Sequence, residues 1–389
     1  MAAEALLELR KFVAPEFVFG PGALALAGQY ARNLGARRPL VVSDPGVRAA
    51  GWTDKVLASI REHGLSAVLF EHVSPNPRDH EIMDGADTYR AEGCDAIVAV
   101  GGGSPMDCGK GIGIVVSNDR HVLTFEGVDN VETPGPPLIC VPTTAGSSAD
   151  VSQFAIINDT TRRVKIAIVS KTMVPDVSLI DPAATTTMDR ELTAYTGLDA
   201  LTHAVEAYVS NAHSPVSDLL ALEAVRRIAQ NLPRALDAAD DLAARSGMML
   251  GSMYAGLAFS NAILGAVHAM AHSLGGLKDL PHGLCNAILL DHVVDFNFAA
   301  APERYADVAR ALGGRVPGDA AFDERKAATL EAVRAFKRRA GVFARLGDLG
   351  VTRDELKALA EFAAADPCMA TNPLEPSCTD IVTIYERAL

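Results

Sequence analysis

The chain has 389 residues, of which 49% are hydrophobic and 21% are charged, so it is long enough for two domains and is not composed like a disordered protein. Its net charge of -13 and the lack of any Lys/Arg run argue against nucleic acid or an anionic membrane surface as a partner. Six scattered cysteines form no CxxC pair, and the first twelve residues lack a basic-then-apolar signal pattern. We therefore expect reduced thiols and a cytoplasmic protein.

Strands and helices alternate over the first half of the chain. The apolar runs predict strands at 13–20, 40–44, 66–71, 95–100, 137–141 and 177–180, helices at 23–34, 55–63, 78–92 and 106–116, and a hairpin formed by 154–158 and 163–169. Such alternation is typical of a doubly wound, Rossmann-like parallel sheet with helices on both faces.

Three strand ends in this half carry residues suited to a nucleotide. Asp44 ends the strand at 40–44, where a carboxylate accepts hydrogen bonds from a ribose, although a turn-forming Asp explains it equally well. Gly101-Gly102-Gly103-Ser104-Pro105 follows the strand at 95–100 and opens a helix, an arrangement that lets backbone N–H groups reach a phosphate. The spacing differs from GxGxxG, so a plain tight turn is the alternative. The hydroxyl-rich segment 142–148 follows the next strand.

From residue 184 onward the pattern becomes helical. Helices are predicted at 189–210, 214–230, 235–240, 242–276, 284–298, 302–311, 322–340, 353–363 and 378–388. We therefore predict an α/β domain at 1–183, an all-α domain at 184–389 and an active site between them. Residues 246–277 contain no Asp, Glu, Lys or Arg, a length that could span a bilayer. The histidines within this segment favour a buried helix beside a metal site, and we expect no membrane partner.

Five polar residues in the helical half have the spacing of a metal site. Asp199 and His203 are four residues apart, as are His268 and His272, and His282 follows ten residues later. An i,i+4 pair projects from one helix face, so two such pairs can converge on one divalent ion. Imidazole and carboxylate ligands suit Fe, Zn, Co, Ni or Mn, and any four of these five donors would serve.

Together these motifs resemble the iron-containing (group III) alcohol dehydrogenase family over nearly the full length. The resemblance rests on 101–107, on 142–146 and on the Asp199 to His282 spacing. It implies metal ligation by Asp199, His203, His268 and His282, with Fe²⁺ as the usual ion and Zn²⁺ or another divalent metal as the alternative. It also implies that His272 lies near the nicotinamide, for proton relay or substrate positioning. The NAD contacts that it implies are Asp44, Asn76, Gly102, Gly103, Ser104, Asp107, Thr143, Thr144, Ser147 and Lys165.

The resemblance predicts an NAD-dependent, metal-dependent oxidoreductase that interconverts a small alcohol and its aldehyde or ketone. A carboxylate at Asp44 would repel the 2′-phosphate of NADP, which favours NAD. The resemblance also implies a homodimer or a higher homo-oligomer. The alternatives are a Zn-dependent polyol or glycerol dehydrogenase, a metal-dependent hydrolase or lyase, and a non-catalytic relative. The last is suggested by Ser147-Ser148-Ala149-Asp150, where the family commonly has Thr-Gly-Ser-Glu. Further departures are Asp291 in place of Pro and Leu374 in place of Arg.

Overall fold

The computed structural model describes residues 10–389. The predicted lack of a signal pattern depends largely on residues 1–9, which lie outside the described part of the chain. Six strands form one parallel sheet: β1 (Glu16–Phe19), β2 (Pro39–Val42), β3 (Val68–Phe70), β4 (Ala96–Gly101), β6 (Leu138–Pro142) and β9 (Val177–Ile180). Each strand is at least partly within its predicted range, and the parallel sheet confirms the predicted fold class.

Helices cover both faces of this sheet. They are α1 (Ala27–Asn33), α2 (Pro45–Ala49), α3 (Trp52–Glu62), α4 (Asp79–Ala91) and α5 (Gly103–Asn118). Successive residues of a strand point to opposite faces, and accordingly Leu40 and Val42 belong to one buried cluster whereas Val41 belongs to another. Both faces of the central strands are buried, which explains their continuous apolar sequences. The short helix α2 follows β2 directly, and Asp44 caps it by accepting a hydrogen bond from the Val47 amide.

The strand order fixes where a ligand can bind. The sheet runs β1-β9-β6-β4-β2-β3, so the chain proceeds outward from β2 to β3 and then returns to β4 on the other side. The topological switch point therefore lies between β2 and β4, whose carboxyl ends carry Asp44 and the glycine loop. The order explains why these two segments, distant in sequence, open into one crevice.

A second, three-stranded sheet lines one side of this crevice. The predicted hairpin is confirmed: β7 (Phe154–Asp159) pairs antiparallel with β8 (Val164–Val169), and the short β5 (Gly127–Val128), which was not predicted, pairs with β8. The Asp159 carboxylate holds the turn, since it accepts hydrogen bonds from the amides of Thr161 and Arg162.

The remaining named elements from Arg190 onward are helical, as predicted. They are α6 (Arg190–Val209), α7 (Pro215–Asp237), α8 (Leu242–Ala262), α9 (Ala266–Lys278), α10 (His282–Asn297), α11 (Pro302–Ala311), α12 (Phe322–Ala340), α13 (Leu356–Ala365) and α14 (Cys378–Ala388), with short 3-10 turns between some of them. One large buried cluster spans α6 to α14 and holds them together.

The single helix predicted at 242–276 is wrong. The chain breaks between α8 and α9 at Ile263, whose φ is +62°, and turns by 99°. Distant side chains hold the break, because Asn372 Oδ1 accepts from the Ala266 amide and Glu206 Oε1 from the Val267 amide. These bonds satisfy amides that the first turn of a helix leaves unpaired. A Cβ on Gly265 would lie 2.8 Å from Asn372 Oδ1, so the position requires glycine.

The separate helix predicted at 235–240 is also wrong, because α7 continues through Pro233 to Asp237. Burial of Leu232, Ala235 and Leu236 on either side of the proline outweighs its helix-breaking effect.

Among residues 10–389, no single helix is both long and apolar enough to cross a membrane. The bent pair α8 and α9 meets the criteria only when both helices are taken together.

A candidate metal and dinucleotide site in the cleft

One cavity of about 780 Å³ lies where the carboxyl ends of β2, β4 and β6 face α6, α9 and α10. Every residue predicted to bind the metal or NAD, and His272, lines it, although the residues come from both halves of the chain. These residues are Asp44, Asn76, Gly102, Gly103, Ser104, Asp107, Thr143, Thr144, Ser147, Lys165, Asp199, His203, His268, His272 and His282.

The glycine loop forms the wall of the cavity on the sheet side. Gly101 has a φ of +150°, and a Cβ on Gly103 would lie 3.0 Å from the Cβ of Ser147. A Cβ on Gly102 would lie 3.2 Å from the side chain of Thr144. Since α5 begins at Gly103, its free N–H groups and the positive end of its dipole face the cavity. The arrangement suits the phosphate groups of a dinucleotide.

Polar side chains bridge the two halves of the molecule at the rim of the cavity. Asn76 accepts a hydrogen bond from Lys165 Nζ at 2.7 Å and donates one to Asp279 Oδ1 at 2.8 Å. The backbone N–H of Asn76 donates to Ser104 Oγ. Burial lowers the pKa of Lys165 and raises the pKa of Asp107, one turn into α5, to about 6. At the rim, Lys165, Asn76 and Asp279 thus form one hydrogen-bonded network.

Three of the five candidate metal donors, Asp199, His268 and His282, have ligand atoms within 4.8 Å of one another on the opposite side of the cavity, and His203 lies beside them. The Nε2 atoms of His268 and His282 each lie 3.7 Å from Asp199 Oδ1, and that of His203 lies 4.0 Å away. Ligand atoms around one ion at bond lengths of about 2.1 Å are about 3.4 Å apart, so a small contraction of the Asp199, His268 and His282 donors, with His203 moving toward them, would complete such a site. The i,i+4 spacing on α6 places Asp199 and His203 on one face, as predicted.

The electrostatics of this cluster favour a cation. Burial lowers the pKa of His203 to about 3 and that of His282 well below its ordinary value, so both imidazoles are neutral ligands at neutral pH. Burial opposes ionisation of Asp199, but the surrounding histidines more than offset it and lower the pKa of this carboxyl. The carboxyl groups of Glu206 and Asp199 overcome the burial of His268 and raise its pKa to about 9. A divalent metal would displace this proton and balance the buried carboxylates.

Asn286 gives the clearest sign that the donors fit a metal. Its Nδ2 lies 2.7 Å from Asp199 Oδ1 and 3.1 Å from the Nε2 atoms of both His268 and His282. An amide has two hydrogens and cannot donate to Asp199 and to both imidazole nitrogens at once, and the protonated form of His268 offers it no lone pair, so these contacts cannot all be satisfied without a metal ion. One carboxylate and three imidazoles form a donor set that suits Fe²⁺, Zn²⁺ and related ions.

Two buried partners of the histidines were missed in the sequence. Glu206 Oε2 accepts from His268 Nδ1 at 2.5 Å, and Asp366 Oδ2 accepts from His272 Nδ1 at 2.8 Å. Such bonds fix the tautomer and leave Nε2 free to act. Glu206 lies three residues after His203 on α6, so helical spacing could have indicated it. Asp366 lies 94 residues from His272, and no local pattern indicates it.

His272 does not belong to the cluster around Asp199. Its ring lies 5.3 Å from that of His282, but its own donor atoms group with Asp366 and the buried Cys368. His272 therefore stands beside the metal donors with one nitrogen engaged by a carboxylate.

The unusual segment at 147–150 is well packed. Ser148 has a φ of +53°, and its Oγ donates to the Ser252 carbonyl at 2.7 Å. Asp150 is buried and accepts from Ser178 Oγ at 2.7 Å. Ser147 lines the cavity whereas Ser148 and Asp150 point away from it, so the segment keeps its wall intact. Asp291 is likewise paired, with Arg334 and Lys337.

The fold and this cleft define a class of protein, the dinucleotide-dependent oxidoreductases with a metal centre. The protein-family model described as "Iron-containing alcohol dehydrogenase" matches residues 14–182. The family model described as "Fe-containing alcohol dehydrogenase family, C-terminal" matches residues 193–389. The chain belongs to the iron-containing alcohol dehydrogenase family, which confirms the resemblance seen in the sequence.

Relatives and solved structures agree with this assignment. The chain is 42% identical to a 1,3-propanediol dehydrogenase of Citrobacter freundii, covering 95% of this chain and 96% of the relative. It is 36% identical to an NAD-dependent methanol dehydrogenase of Bacillus methanolicus, covering 97% of this chain and 99% of the relative. A crystal structure of a 1,3-propanediol oxidoreductase superposes with a TM-score of 0.95 at 40% identity, covering 98% of this chain and 100% of that one.

The chain is therefore an enzyme, an NAD-dependent oxidoreductase of alcohols and aldehydes. The family also implies a divalent metal, for which the cluster around Asp199 is a potential site. The hydrolase, the Zn-dependent polyol dehydrogenase and the non-catalytic relative are not favoured by these matches.

Proposed function

We propose that Asp199, His203, His268 and His282 hold Fe²⁺ and that the enzyme oxidises a small alcohol, or reduces its aldehyde, beside that ion. The observation that carries the proposal is that one cavity is lined both by these donors and by the glycine loop. The donor set accepts Zn²⁺ and other divalent ions as well, so the preference for Fe²⁺ rests on the family. Metal analysis of protein purified without chelator and without oxygen tests it.

The dinucleotide would lie across the switch point of the sheet. We propose that its pyrophosphate binds at Gly102, Gly103 and Ser104 and its adenosine ribose at Asp44. The remaining proposed contacts with NAD are Asn76, Asp107, Thr143, Thr144, Ser147 and Lys165, which line the same cavity.

The protein's own residues would orient the reaction and carry the proton. When bound, the metal supplies Lewis-acid polarisation of the substrate oxygen and NAD supplies the hydride acceptor. Glu206 would fix His268 with its Nε2 toward the metal. Asp366 holds the Nδ1 proton of His272, so the Nε2 atom of His272 is the acceptor for the hydroxyl proton of the alcohol. Phe259 stacks on His203 and shields that ligand from water.

The test is absorbance at the reduced-nicotinamide band, with NAD, ferrous iron and a panel of primary alcohols and diols. We expect reduction of NAD that a chelator abolishes and that added metal restores. Reduction that persists after complete removal of the metal would contradict it.

Replacing Asp44 with Ala should weaken the preference for NAD over NADP by about ten- to a hundredfold in kcat/KM, because one charged hydrogen bond and one repulsion are lost together. Asp44 also caps α2, so the variant will lose some stability for that reason alone. Asp241→Ala is the matched control, since Asp241 caps α8 in the same way. An unchanged cofactor ratio in Asp44→Ala would show that Asp44 does not contact the ribose.

We also propose a homo-oligomer in the cytoplasm. The edge strand β1 pairs on one side with β9, and Phe12 and Phe17 beside this edge are 43% and 42% exposed. An edge strand with exposed aromatic residues favours pairing with a second copy of the chain. Light scattering should detect a smaller assembly for Phe17→Lys than for the control Phe362→Lys, which is equally exposed on α13. The six cysteines are free thiols, which fits a reducing compartment.

A further inference from the structure

The cavity has an apolar wall beside the metal donors. The ring of Phe259 stacks on that of His203 with centroids 4.4 Å apart, and the ring of Phe154 lies 5.7 Å from Phe259. Leu264 lines the same cavity and lies four residues before His268 in the sequence. None of these three side chains entered the sequence-based prediction of the site.

Three different parts of the fold build this wall. Phe154 opens β7, Phe259 lies in the last turn of α8, and Leu264 lies in the break between α8 and α9. All three residues are buried. The Leu264 carbonyl accepts from Thr371 Oγ1 at 2.6 Å, which fixes the break at this point. A substrate with its oxygen at the metal donors would therefore extend its carbon chain along this wall.

Two polar side chains next to the wall, those of Lys110 and Gln153, are already engaged. Lys110 Nζ, which is buried, donates to the carbonyls of Ser152 and Phe154 and lies 3.4 Å from Ser152 Oγ. Gln153 bonds to Ser260 through both its amide N–H and its side chain. The next polar side chain on the cavity face of β7 is Asn158, four residues or about 13 Å beyond Phe154. It therefore lies toward the rim and away from the donors.

From this arrangement we infer that the enzyme prefers a simple aliphatic primary alcohol, or its aldehyde, to a diol or polyol. The inference rests on the proposed function and names its substrate class. A second hydroxyl placed against Phe154, Phe259 and Leu264 would lose its hydrogen bonds to water without a replacement. The Citrobacter relative, by contrast, is named for a diol, 1,3-propanediol.

The test compares kcat/KM for 1-propanol with that for 1,3-propanediol, using the metal-loaded enzyme and NAD. The diol value is divided by two, since either of its hydroxyls can react. We expect 1-propanol to be favoured by about ten- to a hundredfold, the range for a hydroxyl set against an apolar pocket. Equal values, or a preference for the diol, would overturn the inference while leaving the proposed function standing.

A variant separates the wall from other causes of selectivity. Phe154→Asn supplies both a hydrogen-bond donor and an acceptor. The ratio of kcat/KM for 1-propanol to that for 1,3-propanediol should therefore fall toward one, chiefly through a higher kcat/KM for the diol. Phe343→Asn makes the same change at a side chain that is 72% exposed and should leave the ratio unaltered. The wild-type ratio tests the inference by itself if Phe154→Asn does not fold.

If the enzyme turned over no alcohol, that result would count against the proposed function alone. The substrate preference can then be tested by binding. Saturation-transfer NMR of the Zn²⁺- and NAD-loaded chain should then show tighter binding of 1-propanol than of 1,3-propanediol. The reverse order of affinities would overturn the inference.

Discussion

Replacing Asp199 with Asn should reduce turnover by about a thousandfold or more and should remove most of the bound metal. Asp199 is the single carboxylate among the four proposed ligands, and all three histidine Nε2 atoms lie within 4.0 Å of its Oδ1. Loss of its charge would withdraw several kcal/mol of interaction with a divalent ion, and each 1.4 kcal/mol is a tenfold change. The measurements are kcat with a saturating alcohol and the metal content per chain after dialysis.

Asp295→Asn is the control for this variant. Asp295 lies on α10 near the same helix bundle, but it pairs with Lys326 and Arg387 away from the cavity. We expect it to retain its metal and its turnover. If Asp199→Asn kept a full complement of metal, the proposed ligand set would be wrong.

Replacing Asp366 with Asn should reduce kcat by about a hundredfold or more with little change in the KM for NAD. The Asp366 carboxylate accepts the Nδ1 proton of His272, whereas an amide can present its NH₂ group and favour the other tautomer. The proton would then occupy Nε2, and His272 could not accept a proton from the substrate. A positioned general base typically contributes about 10²- to 10⁴-fold, which sets the size of the effect.

A double variant shows whether Asp366 acts through His272. Asp366→Asn combined with His272→Ala should be no slower than His272→Ala alone, because residues that act as a unit are not additive. In ¹⁵N-histidine spectra, the shifts of the His272 nitrogens should exchange their protonated and unprotonated character in Asp366→Asn. Additive losses in the double variant would mean that Asp366 has a role separate from His272.

Local geometry explains why much of the site was predictable. The i,i+4 spacing predicted that Asp199 and His203 share one helix face, and the structure places Nε2 of His203, His268 and His282 within 4.0 Å of Asp199 Oδ1. The glycine loop was predictable because a strand, three glycines and a helix follow one another without a gap. Both patterns express regular backbone geometry, which depends little on distant residues.

What the sequence did not predict depends on contacts between distant segments. The break at Ile263 is held by Asn372 and Glu206, and Asp366 reaches His272 across 94 residues of sequence. The apolar wall formed by Phe154, Phe259 and Leu264 is assembled from three elements. The roles assigned to the site residues and the division of the chain at residue 183 stay predictions.

The most direct test of the central claim is anomalous X-ray diffraction from crystals of the iron- and NAD-loaded enzyme. The proposal predicts one anomalous peak within bonding distance of Asp199, His203, His268 and His282, with the dinucleotide crossing the glycine loop. A peak held instead by His272, Asp366 and Cys368, the other group of candidate ligands, would contradict it. So would a dinucleotide bound away from Gly102 and Gly103.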